Sequence, residues 1–263
     1  MNQDLELLIT IVLAFISGVI PALIWFWFWS NEDSENPEPK SMLALAFVGG
    51  MVAVFVSLFI EKYLFGLGLK NLFYTDFLSQ FLSILETFAS KTGVALDKLL
   101  LVGIFAPIIE ELAKFIIAYI LVLRSRANDE PLDPMIYLII TALGFASIEN
   151  MLFLIGPFEN RDFILTIFTG NMRFIGATLL HVVSSATIAL FISFNFFKRR
   201  SAKMWMTIVG IICAIILHGL FNFLMIGNQQ ANIMALELIW IAVIIILLAF
   251  EKIKKIRREY IYK

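Results

Sequence analysis

Long apolar runs separated by short polar stretches dominate this chain. Seven of them reach the ~20 residues a helix needs to cross a hydrocarbon core: Leu5–Trp29, Met42–Ile60, Leu99–Leu123, Met135–Gly156, Ile175–Phe197, Met204–Ile226 and Ile233–Phe250. The pattern predicts an all-α polytopic membrane helix bundle of about seven transmembrane helices. The first run has no basic leader and no small-residue cleavage site after it, so it reads as a retained span and not a signal peptide. Between the second and third runs, residues 61–98 behave differently. Phe73, Phe77, Phe81, Leu85 and Phe88 recur near helical spacing among polar neighbours, with Asp76 placed to cap a helix start and Gly93 to end it. This spacing predicts one amphipathic helix lying in the outer interface. No repeat or low-complexity tract divides the chain, so 1–263 reads as a single membrane domain.

Composition strengthens this reading. Hydrophobic residues make up 60% of the chain and charged ones 16%, with a mean hydropathy of +0.90. Those values exclude a disordered chain, a collagen-like fibre and a disulfide-stapled module. A net charge of -1 offers no basic surface for nucleic acid. The single cysteine, Cys213, permits no intrachain disulfide.

Basic residues set the orientation. Lys198, Arg199, Arg200 and Lys203 form the strongest cytoplasmic signal, followed by the basic tail 251–263 and by Arg124 with Arg126. The uncharged loop Gly227–Asn232 suits an external turn. Counting through seven spans puts the N-terminus outside and the C-terminus in the cytoplasm, in a protein of the cell membrane. The run Trp25-Phe26-Trp27-Phe28-Trp29 then forms an aromatic belt at headgroup depth.

Polar residues inside the runs carry the chemistry, because a charge near the bilayer centre costs several kcal/mol or more and so needs a partner or a task. The third run holds Glu110, Glu111 and Lys114; the fourth, Glu149 and Asn150. Arg173 stands at the outer edge of the fifth, with His181 two turns deeper, and the sixth holds His218 and Asn222. Lys114 lies four and three residues after the two glutamates, so it can pair with either. Adjacent carboxylates in a low dielectric do not both ionise cheaply, which leaves one suited to acid or base work. His218 and Asn222, four apart, share a helix face and can hold one water, substrate oxygen or metal between them. Each group alone has a structural explanation: an ion pair, a packed histidine, interhelical glue, a snorkelling arginine. Four consecutive runs carrying such groups argue instead for a shared cavity.

Elimination narrows the chemistry. There is no G-x-S-x-G nucleophile, no G-x-G-D aspartyl site and no H-E-x-x-H zinc motif. What remains is a Glu, Glu, His, His, Asn set on separate helices, able to bind a divalent ion as His2Glu sites do or to activate water by carboxylate.

The ordered motifs Glu110-Glu111-x-x-Lys114, Phe145-x-x-x-Glu149, His181 and His218-x-x-x-Asn222 resemble the PrsW family of intramembrane proteases, within the wider type II CAAX-endopeptidase and bacteriocin-immunity group. The resemblance covers residues 99–226. In that wider group the first motif is usually Glu-Glu-x-x-x-Arg and the second carries Asn or His, so Lys114 and Glu149 both favour PrsW. The resemblance implies hydrolysis of a peptide bond in a single-pass or membrane-anchored protein substrate. It casts Glu110 or Glu111 as the group that activates water, and His181, His218 and Asn222 as groups that orient it or stabilise the oxyanion. Lys114, Glu149, Asn150 and Arg173 support them. Some members of the family resemble site-1 proteases that cut an anti-sigma factor outside the cytoplasm. No cofactor is required if a glutamate activates the water; otherwise a divalent metal such as zinc is, with Glu110, Glu149, His181 and His218 as candidate ligands. The lack of a compact i,i+4 histidine pair favours the glutamate route. A proton- or cation-coupled transporter using the same groups is the alternative, and a non-catalytic scaffold a third.

Overall fold

The computed structural model describes residues 3–32, 36–66, 83, 85–87, 89–160 and 162–261. These residues form helices and turns, with no strand among them. In chain order the helices are α1 (Gln3–Asn31), α2 (Lys40–Gly66), α3 (residues 96–123), α4 (Asp133–Glu159), α5 (Phe163–Phe194), α6 (Arg200–Ile226) and α7 (Gln229–Ile261). Six of them, all but α3, are long and apolar enough to cross a membrane. Seven were expected. The difference lies in α3, which is helical from end to end but carries Glu110, Glu111 and Lys114 within its middle turns.

Two helices run well past the apolar patterns that predict them. α5 begins at Phe163, not Ile175, because Asp162 caps it: its Oδ1 accepts from the backbone N–H of Leu165 at 2.9 Å. Arg173, expected at the edge of a span, therefore sits inside a helix. α7 continues through the basic tail to Ile261. Most of the interfacial prediction (Phe73, Asp76, Phe77, Phe81 and Phe88) lies outside the described residues. Leu85 is buried against Leu99 and Leu100. Gly93 takes φ +70 directly after helical residues 89–92, and its N–H bonds to the Ala89 carbonyl at 2.9 Å. That is a left-handed C-terminal cap.

α4 is the central helix, buried without a break from Asp133 to Ile148. Its neighbours α1, α2 and α5 surround it. Such close approach depends on missing side chains. A Cβ on Gly50 of α2 would stand 1.9 Å from the Thr141 carbonyl oxygen, and one on Gly144 of α4 would stand 1.9 Å from that of Phe47. The two glycines let the backbones touch, the small-residue packing typical of helices in lipid.

Contacts define the two ends of the bundle. Lys254 pairs with Glu32 at 2.7 Å, Asn36 donates to Glu130 at 2.9 Å, and the Tyr137 hydroxyl donates to Glu38. These join the linker after α1, the α3–α4 turn and the far part of α7. Trp29, from the predicted belt, packs inward there on Phe250 with ring centroids 5.2 Å apart. The opposite end holds the close of α2, α4 and α6 and the start of α3 and α5. The functional cavity opens among those.

Candidate active site

The site begins with a change of helical winding. At Leu101–Phe105 α3 is π-wound, and the Ala106 N–H reaches back five residues to the Leu101 carbonyl. In the same register Val102 would receive residue 107, but Pro107 has no N–H to give. The orphaned Val102 carbonyl is satisfied from α6, where Asn222 Nδ2 donates to it at 2.9 Å. Three residues earlier, Gly219 lies so close that a Cβ there would stand 2.8 Å from the Gly103 carbonyl oxygen. α6 is thus pressed onto α3 at this level, and the adjacent residue, His218, is brought against the glutamate pair. A second π segment, Arg173–Thr178, lies just before His181 on α5. Single π turns gather at functional sites in many proteins.

Glu111 is fully buried. Its Oε1 accepts from Lys114 Nζ at 2.7 Å and lies 2.7 Å from His218 Nδ1. The lysine also lies 3.2 Å from His181 Nδ1, and the other nitrogen of that ring, Nε2, is 2.8 Å from Glu149 Oε2. Glu149 receives in addition the Nη2 of Arg173, whose Nε donates to Asn150 Oδ1 at 2.7 Å. Asn150 in turn donates to Thr178 Oγ1 at 2.9 Å. Phe145, at the head of its motif, lays its ring 5.0 Å from that of His181 and 5.0 Å from the lysine ammonium. One continuous network therefore links α3, α4, α5 and α6.

The network assigns both histidine tautomers. An ammonium only donates, so His181 Nδ1 is the acceptor and its proton lies on Nε2, facing Glu149. A carboxylate only accepts, so His218 carries its proton on Nδ1, facing Glu111. Each imidazole gives its N–H to a carboxylate; the lone pair of the other nitrogen is open on His218 Nε2 and is shared with the Lys114 ammonium on His181 Nδ1. Those lone-pair nitrogens are His181 Nδ1, 3.9 Å from Glu110 Oε2, and His218 Nε2, 3.7 Å from the same oxygen. Glu110 Oε2 is buried and has no hydrogen-bond partner among the described residues. Glu111 Oε2 is likewise without one, but it does not face the cavity.

That cavity measures about 460 Å³. Glu110, His181, His218, Glu149, Arg173 and Asn222 all lie on its wall. The structure therefore brings together Glu110, Glu111, Lys114, Glu149, His181 and His218, with Arg173 attached through Glu149 and Asn150 through Arg173. Arg173 does not snorkel; it is paired and lies 3.8 Å over the Phe153 ring. The amide nitrogen of Asn222 is committed to the Val102 carbonyl, and Asn222 lines the cavity together with His218. Glu61 and Ser57 of α2 also line the cavity, and sequence reasoning missed both. The available signal was a carboxylate directly after Ile60, on the last turns of an apolar helix.

The donor set fits a divalent ion. One donor atom each from Glu110, His181 and His218 lies within 4.8 Å of the others. The three are buried, and the opposite N–H of each ring is held by a carboxylate, the usual support of a metal-binding histidine. The histidine pair absent from any single helix is made across two, with ring centroids 5.2 Å apart.

Fold and site together define a polytopic helical membrane protein with a buried glutamate–histidine centre on a cavity wall. A family model described as PrsW family intramembrane metalloprotease matches residues 38–249. The chain is 26% identical over 213 residues to the Protease PrsW of Clostridioides difficile strain 630, spanning 80% of this chain and 78% of the relative. To the Protease PrsW of Geobacillus kaustophilus strain HTA426 it is 24% identical over 220 residues, spanning 81% and 80%. To that of Bacillus subtilis strain 168 it is 26% identical over 214 residues, spanning 80% and 81%. No solved structure matches the chain. The chain belongs to the PrsW family of intramembrane proteases.

Proposed function

We propose that this protein hydrolyses a peptide bond of a membrane-anchored protein substrate at the cavity wall, with Glu110 at the reacting centre. The observation that carries the reading is Glu110 Oε2, buried, without a hydrogen-bond partner among the described residues, and faced by a nitrogen of each of two histidines. Of the two adjacent glutamates, only Glu110 borders the cavity, so it and not Glu111 meets substrate.

Glu110, His181 and His218 would hold a divalent ion such as zinc, which when bound supplies a water acidic enough to attack at neutral pH. The remaining groups act through the chain itself. Glu111 holds His218 in the tautomer that presents Nε2, and Glu149 does the same for Nδ1 of His181. Lys114 balances the charge of Glu111 and keeps that partner whether or not it also touches His181. Arg173 fixes Glu149 and brings a cation to the wall, where the oxyanion of a tetrahedral intermediate would gain from it.

In the orientation that goes with this reading, α3 crosses as a seventh span. The end of the bundle bearing Arg124, Arg126, Lys198, Arg199, Arg200 and Lys203 faces the cytoplasm of a cell membrane. The N-terminus is then outside, and the cavity opens toward the extracytoplasmic side. Site-1 cleavage of an anti-sigma factor suits such an opening.

The test is a comparison of membrane proteomes from cells carrying the wild-type chain and Glu110→Gln. New extracytoplasmic ends that vanish with the variant, while the variant accumulates normally, support the reading; an unchanged set of ends overturns it.

A further inference from the structure

The second cavity worth a function lies at the other, basic end of the bundle. A groove of about 420 Å³ runs between α3 and α6, a size ordinary for small-ligand sites. Its walls are mostly apolar, with Asn128 and Thr207 the polar exceptions: Phe115 and Tyr119 stack with centroids 5.9 Å apart, and Ile192, Ile208 and Ile211 face them. Tyr119 opens a π-wound segment, Tyr119–Leu123, so the winding of α3 shapes this wall as well. Arg200, exposed, and Lys203, half-buried, stand at the rim. Lys203 Nζ lies 4.4 Å from the Phe196 ring centroid, and the Arg124 guanidinium lies 5.9 Å from that of Tyr119. Among the described residues no acidic side chain lines the groove. Among the described residues neither rim cation has a carboxylate partner.

An occupant must satisfy both halves at once. Two unpaired cations at the membrane boundary call for an anion, and the wall between helices calls for hydrocarbon. A free anion meets only the first demand, and a zwitterionic lipid meets the first weakly. Basic pockets between spanning helices have the charge pattern that suits acidic headgroups. We propose that this groove binds one anionic phospholipid, its phosphate on Arg200 and Lys203 and one acyl chain along Phe115, Ile208 and Ile211. The site is separate from the Glu–His centre and does not depend on the reaction assigned to it.

Native mass spectrometry of the full chain in detergent tests this with phosphatidylglycerol and phosphatidylcholine of identical acyl chains. Wild type should retain the anionic lipid about thirtyfold better, the worth of two basic side chains near an anionic surface. Arg200→Gln/Lys203→Gln should bring retention down to the phosphatidylcholine level. Lys252→Gln/Lys255→Gln removes equal charge elsewhere and should leave it intact. Ile208→Trp keeps the rim charges but fills the groove, and should also lower retention. Equal retention of the two lipids by wild type, or retention unchanged by both groove variants, overturns the proposal. So does an equal loss in the Lys252/Lys255 variant, which would mean that bulk charge alone attracts the lipid.

Discussion

His218 and Glu111 are 107 residues apart in the chain, and Nδ1 of one lies 2.7 Å from Oε1 of the other. The same oxygen takes Lys114 at 2.7 Å. One carboxylate thus balances a buried lysine and orients a histidine. Glu111→Gln separates the two tasks. Losing the anion leaves a fully buried ammonium uncompensated, which should cost about 3–5 kcal/mol, read as a fall in melting temperature in detergent. Adding Lys114→Met should recover most of that stability. Cleavage should remain 10- to 100-fold down, roughly what losing the carboxylate behind a metal-binding histidine costs. Full activity in the double variant would reduce Glu111 to a counter-ion.

The metal site proposed around Glu110 has its own test. Purified protein should bind about one zinc per chain, and chelation should abolish cleavage until zinc is restored. Glu110→Gln and His218→Ala should each eliminate tight binding. Glu111→Gln should weaken it only about 10- to 100-fold. Titration calorimetry on chelated protein distinguishes these cases, and binding equal to wild type in Glu110→Gln would refute the ligand assignment.

Arg173 engages two acceptors, Asn150 through Nε and Glu149 through Nη2. A lysine retains the charge but not the fork. Arg173→Lys should therefore lower kcat about tenfold, and Arg173→Gln about 100-fold, the latter at the low end of what the loss of one charge-stabilising donor costs. KM should change little in both if the residue acts on the transition state. A rise in KM at constant kcat would assign it to substrate binding instead.

Packing offers a test independent of chemistry. Gly50→Ala or Gly144→Ala drives a Cβ into a carbonyl of the opposing helix. Neither backbone can move aside cheaply, so each should destabilise by about 1–3 kcal/mol or more. Gly156→Ala, on the same helix as Gly144, meets nothing within 4 Å. It should be neutral or gain up to about 1 kcal/mol from helix propensity. Melting temperatures in one detergent rank the three, and equal values would contradict the α2–α4 contact.

Much of this architecture was legible in the primary structure because lipid imposes a coarse rule. Backbone polar groups must be satisfied within the segment, so a long apolar run is read directly as a helix. Helix ends were less legible. The Phe163 start depends on an Asp162 cap and on apolar residues that precede Arg173, a residue that reads as an edge. The membership of the buried polar network was legible for a related reason: ionisable groups in apolar runs are too costly to be incidental, and Glu110, Glu111, Lys114, Glu149, His181 and His218 all belong to it. Glu61 escaped because a carboxylate at the end of a run looks like the first residue of a loop.

The linear chain by itself thus determined that this is a helical membrane protein and which side chains must find one another, since both follow from the cost of placing polar groups in hydrocarbon. Which glutamate meets the cavity, that the histidines pair across helices, and that Asn222 serves a backbone carbonyl were decided only by the fold. Those outcomes depend on the π winding before Pro107 and on the close approach at Gly219, which set the rotation and depth of α3 against α6. Helical periodicity within one segment carries no information about that register.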